Sequence, residues 1–255
     1  MSEPVRVLAF MAHPDDAEMY CAGTLARLKR EAGCEIVIAT ATSGDCGSMN
    51  HRPDELARIR HREAMTAAGL LGAEYYCAGS QDILITYDAA TIRAFTEVLR
   101  KARPHLVISH SPVDYMVDHE LTSRLVRTAC FSASCPNLIT GDVDPAPPTQ
   151  NVPHLYYTDA VECKDLFGQP IEAQFIVDIS ATIDIKEKML ACHASQREWL
   201  RAQHKMDHYI ETMKKAAAER GRRIGKAYGE GFRQHLGHGY PQDNLLGKLL
   251  GLAGA

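Results

Sequence analysis

The stretch Val5-Arg6-Val7-Leu8-Ala9-Phe10-Met11-Ala12-His13-Pro14-Asp15-Asp16 decides how the rest of the chain is read. Residues 5–11 are apolar apart from Arg6, too short and too β-rich for a helix, and they read as a strand buried on both faces. A helix over 17–32 follows, with Cys21, Leu25, Leu28 and Ala32 on one face and Gly33 as its stop. Outward from there the alternation repeats. Strands are expected at 35–41, 74–77 and 106–110, and helices at 53–71 (opened by Pro53), 91–102 and about 118–132. Strands alternating with helices of this length predict an α/β fold, a Rossmann-like open and mostly parallel sheet with helices on both faces.

The segment 136–153 is rich in Pro, Asp and Asn and breaks the pattern. The expected organisation is therefore a catalytic core over 1–135 and an appended part over 136–255 that completes the same domain. That part holds strands near 154–157 and 175–179, then long helices over 183–193 and 196–213, continuing to 223. The tail 229–244, with four glycines and two histidines, reads as a loop.

Composition narrows the function classes. Of 255 residues, 28 are Lys or Arg and 32 are Asp or Glu, a net charge of −4, which argues against nucleic acid as a partner. No run reaches the roughly 18 apolar residues of a membrane span. The start, MSEPVRVLAF, lacks the basic and long apolar regions of a secretory signal, so the expected location is cytoplasmic. Eight cysteines show no CxxC spacing and read as reduced, structural residues; if a metal is bound, the twelve histidines and the carboxylates must hold it.

In an open parallel sheet, ligands bind at the carboxyl ends of the strands. The segments after the first four strands all carry polar groups, and two of them carry metal-ligand chemistry. His13-Pro14-Asp15-Asp16 sets one imidazole and two carboxylates in a turn stiffened by proline, although an Asp there could also simply cap the helix. Asp114-Tyr115-Met116-Val117-Asp118-His119 brings His119 to the first turn of a later helix at the same edge. Together His13, Asp16 and His119 make a His₂Asp set with an open position, the form of a catalytic zinc site, and Asp15 is the natural base for a bound water. Iron, cobalt or nickel would also suit these ligands.

The run Ala12-His13-Pro14-Asp15-Asp16-Ala17-Glu18 after the first strand, with the later Asp118-His119, resembles the PIG-L / LmbE-like family of zinc-dependent N-acetylglucosaminide deacetylases. The resemblance spans roughly residues 5–135, with weaker echoes in Thr42-Ser43-Gly44-Asp45 and Arg60-His61-Arg62-Glu63. It implies one Zn²⁺ per subunit on His13, Asp16 and His119, with Asp15 as general base and later as proton donor to the amine. It implies a small N-acetylated sugar or its conjugate as substrate. One departure stands out: where the family has H-P-D-H, this chain has Met116-Val117-Asp118-His119. The family's oxyanion-stabilising histidine is thus lost at Met116, and His110, then His193, His235 and His238, are the candidates to replace it, although for the last three a surface position is the expectation.

The expected substrate contacts are Asp45, Arg60, Asp82, Tyr115 and Met116. Arg60 matches a substrate-contacting arginine of some family members, yet on its helix it could equally pair with Glu63. Asp82 could cap a turn, and Asp45 could close the Gly44 turn. Trp199 reads as a core or subunit contact, and the glycine- and histidine-rich tail could reach a neighbouring subunit in a homo-oligomer. The expected function is metal-dependent N-deacetylation of an amino sugar. The rivals are hydrolysis of another N-acyl or thiol–sugar amide, and a non-catalytic metal- or sugar-binding module.

Overall fold

The computed structural model describes residues 3–141, 143–204 and 208–252. β1 (Arg6–Met11) has both faces covered, as its unbroken apolar run requires, and Val7 through Met11 have no exposure. It pairs in parallel with β2 (Glu35–Thr42) on one side and β4 (Leu106–Ser109) on the other. β3 (Glu74–Ser80) lies beyond β2, and β5 (His154–Thr158) beyond β4, both parallel to their neighbours. β6 (Phe175–Asp178) and β7 (Gly229–Gln234) complete the order β3-β2-β1-β4-β5-β7-β6, with β7 antiparallel to both β5 and β6.

Alternate side chains of β1 feed two cores. Val7, Ala9 and Met11 pack with α1 (Asp16–Tyr20), α2 (Ala22–Ala32), α6 (Ile183–Ala191) and α8 (Tyr209–Arg223). Leu8 and Phe10 face α4 (Ala89–Ala102) and α5 (Val117–Ser132), where Phe10 stacks on Phe95 with ring centroids 4.6 Å apart. α3 (Pro53–Gly69), α7 (Ala194–His204) and a short α9 (Leu245–Leu249) complete the helices of the described residues. The fold is therefore the mostly parallel α/β sheet expected from the alternation.

Three local expectations change. The helix expected over 17–32 is two helices, separated at Cys21 (φ −142°, ψ 1°). The long helix expected over 196–223 is α7 and α8, and its residues 205–207 lie outside the described residues. The tail expected to be a loop contains β7, a strand inside the sheet rather than at its rim. Its glycines concealed it: a Cβ on Gly231 would stand 2.0 Å from Asp159 Oδ2, and one on Gly229 would stand 2.7 Å from Ile176 Cγ2. Close approach demands residues that rank among the poorest strand formers.

The order also places the functional crevice. From β1 the chain steps to β2 and β3 on one side, then returns to β4 on the other. The loops leaving the carboxyl ends of β1 and β4 therefore diverge and leave a crevice between them, the switch point at which such sheets bind ligands.

Candidate metal centre and its neighbours

The loop after β1 enters α1 through Asp15, whose φ of 101° is a left-handed conformation that non-glycine residues seldom adopt. Asp15 occupies the N-cap position but makes no side-chain capping bond, so its carboxylate is not spent on the helix. The Asp16 carboxylate turns back instead, and its Oδ2 accepts from His13 N at 2.7 Å. Across the crevice, the loop after β4 and the first turn of α5 supply Asp114, Asp118 and His119, all buried.

These side chains interlock. His13 Nδ1 stands 3.2 Å from Asp16 Oδ2, while its Nε2 faces Asp82 Oδ1 at 3.1 Å and Asp118 Oδ2 at 3.3 Å. Asp118 is fixed in turn by Ile83 N, which donates at 2.7 Å. His119 Nδ1 meets Asp114 Oδ1 at 3.1 Å, leaving Nε2 turned toward Asp16 Oδ1 at 3.6 Å. Four sets of three residues bring ligand atoms within 4.8 Å of one another here: His13, Asp16 and His119; His110, Asp114 and His119; His13, Asp82 and Asp118; and Asp45, Cys46 and Asp82. In the first, which joins two imidazoles and a carboxylate, His13 keeps Asp82 and Asp118 on its other nitrogen and His119 keeps Asp114, the outer partner that metal-bound histidines characteristically have.

The electrostatics fit a cation. Burial opposes charge on His13, but its contacts with Asp118, Asp16 and Asp82 outweigh it and hold the imidazole well above its ordinary value. Burial likewise works against the ionised form of Asp16, yet His119 and His110 keep that carboxyl well below the usual range. One oxygen of Asp114 is buried with no hydrogen-bond partner. Buried carboxylates outnumber the imidazoles that face them, so protons are drawn onto His13 and His119, and a divalent cation would take their place.

Asp15 is set apart from this group. Burial, then the neighbouring Asp16, push its carboxyl from 3.8 up to about 6, against the opposing influence of His193, Tyr209 and Arg60. The Tyr209 hydroxyl donates directly to Asp15 Oδ2.

His110, the first candidate for the oxyanion role, is buried. Its ring stacks on His119 with centroids 3.9 Å apart and is 1% exposed. Its Nε2 lies 2.9 Å from Ala12 N and 3.1 Å from Asp16 Oδ2, so it braces the loop that follows β1. Burial and the neighbouring His119 push it down to about 4, which keeps it neutral. Asp82 is buried, with its carboxylate 3.1 Å from His13 Nε2 and accepting from Cys46 N at 3.1 Å. Arg60 is buried and does not take the Glu63 pairing considered for it; it donates to Gly47 O at 3.2 Å and to Gln196, while Glu63 accepts from Ser195 N and Oγ at 3.0 and 2.6 Å. Asp45 is half-buried near Asp82 N. Tyr115 is the open one, 65% exposed, with its ring edge on His119 at 5.7 Å. Met116 is half-buried at the N-cap of α5.

Two further buried groups bear on Asp15: Tyr209, which the sequence did not single out, and His193, which it offered as a candidate for the oxyanion role. Tyr209 had no signal, since it lies 194 residues from its partner on a helix. His193 was expected at the surface, but it is 1% exposed, with both ring nitrogens lacking a hydrogen-bond partner and Nε2 3.5 Å from Glu18 Oε2. His193 also opposes the upward push on the Asp15 carboxyl.

A buried His and Asp cluster at the switch point of a Rossmann-like sheet, with a spare carboxylate beside it, defines a metal-dependent α/β enzyme. The family PIG-L, GlcNAc-PI de-N-acetylase, matches residues 8–130, and the chain is similar to this family over that stretch. It is 26% identical over 239 residues to diacetylchitobiose deacetylase of Thermococcus kodakarensis, covering 89% of this chain and 82% of that protein. The solved structure of N,N'-diacetylchitobiose deacetylase from Pyrococcus horikoshii matches it with a TM-score of 0.73 and 26% identity over 94% of this chain and 88% of that one. The chain is also 25% identical over 227 residues to 4-oxalmesaconate hydratase of Pseudomonas putida, covering 86% of this chain and 82% of that protein. Among the described residues, no helix is long and apolar enough to cross a membrane.

Proposed function

We propose that this protein is a zinc hydrolase that removes the acetyl group from an N-acetylated amino sugar of the N-acetylglucosamine type, or from a conjugate of one. The observation that supports this most is the convergence of His13, Asp16 and His119 at one point, with Asp15 beside them and outside the set. His13 would ligate through Nδ1 and His119 through Nε2, because Asp82 and Asp118 occupy the other nitrogen of His13 and Asp114 that of His119. A zinc ion, when bound there, lowers the pKa of water and polarises an amide carbonyl.

The residues around it then have distinct tasks. Asp15 takes the proton from the attacking water and returns it to the departing amine, so one carboxylate serves both directions of proton transfer. The Tyr209 hydroxyl holds the Asp15 carboxylate in place. Tyr115 offers an exposed ring over the crevice to a sugar face. The family's histidine is absent at Met116, and no imidazole of the first turn of α5 other than His119 is available to the oxyanion.

Acetate release from a panel of N-acetylated sugars by the zinc-loaded protein tests the reading. Asp15→Asn should abolish release while retaining zinc, and His119→Ala should lose the metal. Near-normal acetate release by Asp15→Asn, or full zinc occupancy in His119→Ala, would overturn these roles. A second reading has specific support in Met116 and in the likeness to a hydratase: the same activated water could add to a carbon–carbon double bond. Hydration of an unsaturated dicarboxylic acid, with no acetate released from any sugar tested, would favour it.

A further inference from the structure

Val117, Glu120, Arg124 and Arg127 are spaced three and four apart along α5 and form one stripe of it, distinct from the stripe that carries His119. This stripe lines a cavity of about 350 Å³, walled on the sheet side by Tyr157 at the end of β5. That volume suits a small molecule.

The charge of the cavity is one-sided. Arg124 and Arg127 stand exposed at its edge, and among the described residues no carboxylate pairs with either. Arg124 lies 4.5 Å from the centre of the Tyr87 ring, a contact that positions the guanidinium and leaves its charge uncompensated. Glu120 is the one acid of the lining, and its carboxylate is already engaged, accepting from Asp114 N at 3.0 Å.

A buried donor points the same way. Ser123 lines the cavity, is 1% exposed, and its hydroxyl has no partner. Arg233 of β7 donates to Ser111 Oγ at 2.8 Å and so holds the loop immediately before Pro112 of the cavity wall. Unmet buried donors carry a free-energy cost that a ligand's acceptors would remove. Guanidinium groups are the side chains best matched to the paired oxygens of phosphate and carboxylate.

We propose that this cavity is a binding site for the phosphate or carboxylate group of a small anionic metabolite, separate from the His and Asp cluster and independent of the hydrolase reading. A net charge of −4 disfavours an extended polyanion as the partner.

Calorimetric titration of the metal-loaded full chain with inorganic phosphate and with succinate, at low and at physiological salt, tests it. At least one probe should bind saturably with one-to-one stoichiometry and weaken with salt. The double variant Arg124→Gln/Arg127→Gln should weaken that binding at least tenfold, and Ser123→Ala by a few-fold, with metal content and melting temperature retained. The stronger probe identifies whether phosphate or carboxylate is the natural group. Unchanged binding in the double variant would mean that the anion sits on the metal and would overturn the proposal. So would the absence of saturable binding by both probes. Neither result depends on whether acetate is released from any sugar.

Discussion

Asp15 meets several opposed demands at once. It holds a left-handed backbone, it is buried, and it sits against Asp16, so its carboxyl stands at about 6 where an ordinary one stands at 3.8. A carboxyl raised on folding costs stability: the penalty is absent below the ordinary value, grows as pH rises through the folded value, and is complete above it. Asn tolerates the left-handed conformation and carries no charge. Metal-free Asp15→Asn should therefore be more stable than the parent at pH 8 by roughly 1–3 kcal/mol, and the gain should vanish near pH 4. Urea unfolding at the two pH values measures this; equal stability at pH 8 would remove the buried-charge account. The same substitution abolishes turnover in the proposed mechanism, so stability and activity move in opposite directions. His13, Asp15, Asp16 and His119 were legible because each lies in a short motif at a strand end. Tyr209 was not, because nothing local distinguishes a buried tyrosine that meets Asp15 only after the chain has folded.

The elements illustrate the same divide. The break at Cys21 is invisible in the helical pattern of 17–32, because its cause is distant: Glu230 of β7 accepts from the backbone N–H groups of Gly23 and Thr24 at 3.0 and 2.7 Å. Those are free donors of a helix start, and a carboxylate from another strand caps them. The glycines of α8 and β7 permit a comparable contact. A Cβ on Gly221 would lie 2.5 Å from Tyr228 N and 2.7 Å from Ala227 C and Lys226 O, all of them backbone that cannot swing aside. Gly221→Ala should thus destabilise the protein by about 1–3 kcal/mol. Gly69→Ala, at the end of α3 with nothing within 4 Å, should be neutral or stabilising by up to about 1 kcal/mol. Denaturant midpoints of the two variants make the comparison, and equal effects would refute the contact.

At the scale of the molecule, the segments after residue 136 are tied to the motif-bearing part by buried polar contacts. Lys186 of α6 and Glu230 of β7 pair at 2.5 Å, 1% and 3% exposed, and the same carboxylate caps α2. Glu230→Gln leaves a buried ammonium without its counter-ion and should cost about 3–5 kcal/mol. Adding Lys186→Met should restore part of it, and a double variant no more stable than the single would show that the pair is not the source. Metal removal acts on the other side of the same assembly. Stripping the protein with a chelator should lower its melting temperature, because binding to the folded state alone stabilises it. An unchanged melting temperature after verified metal loss would argue against a site assembled only on folding.

The amino-acid sequence by itself determined the parallel α/β alternation, the strand ends that bear the chemistry, and the His13-Pro14-Asp15-Asp16 and Asp118-His119 motifs. Periodicity and strand-end motifs are local, so they survive without coordinates. Only the tertiary structure decided that His110 and Asp82 are buried against Asp16 and His13, that β7 enters the sheet through its glycines, and that Tyr209 donates to Asp15. Each of those depends on partners tens to hundreds of residues apart, and only packing around a common core brings them into contact.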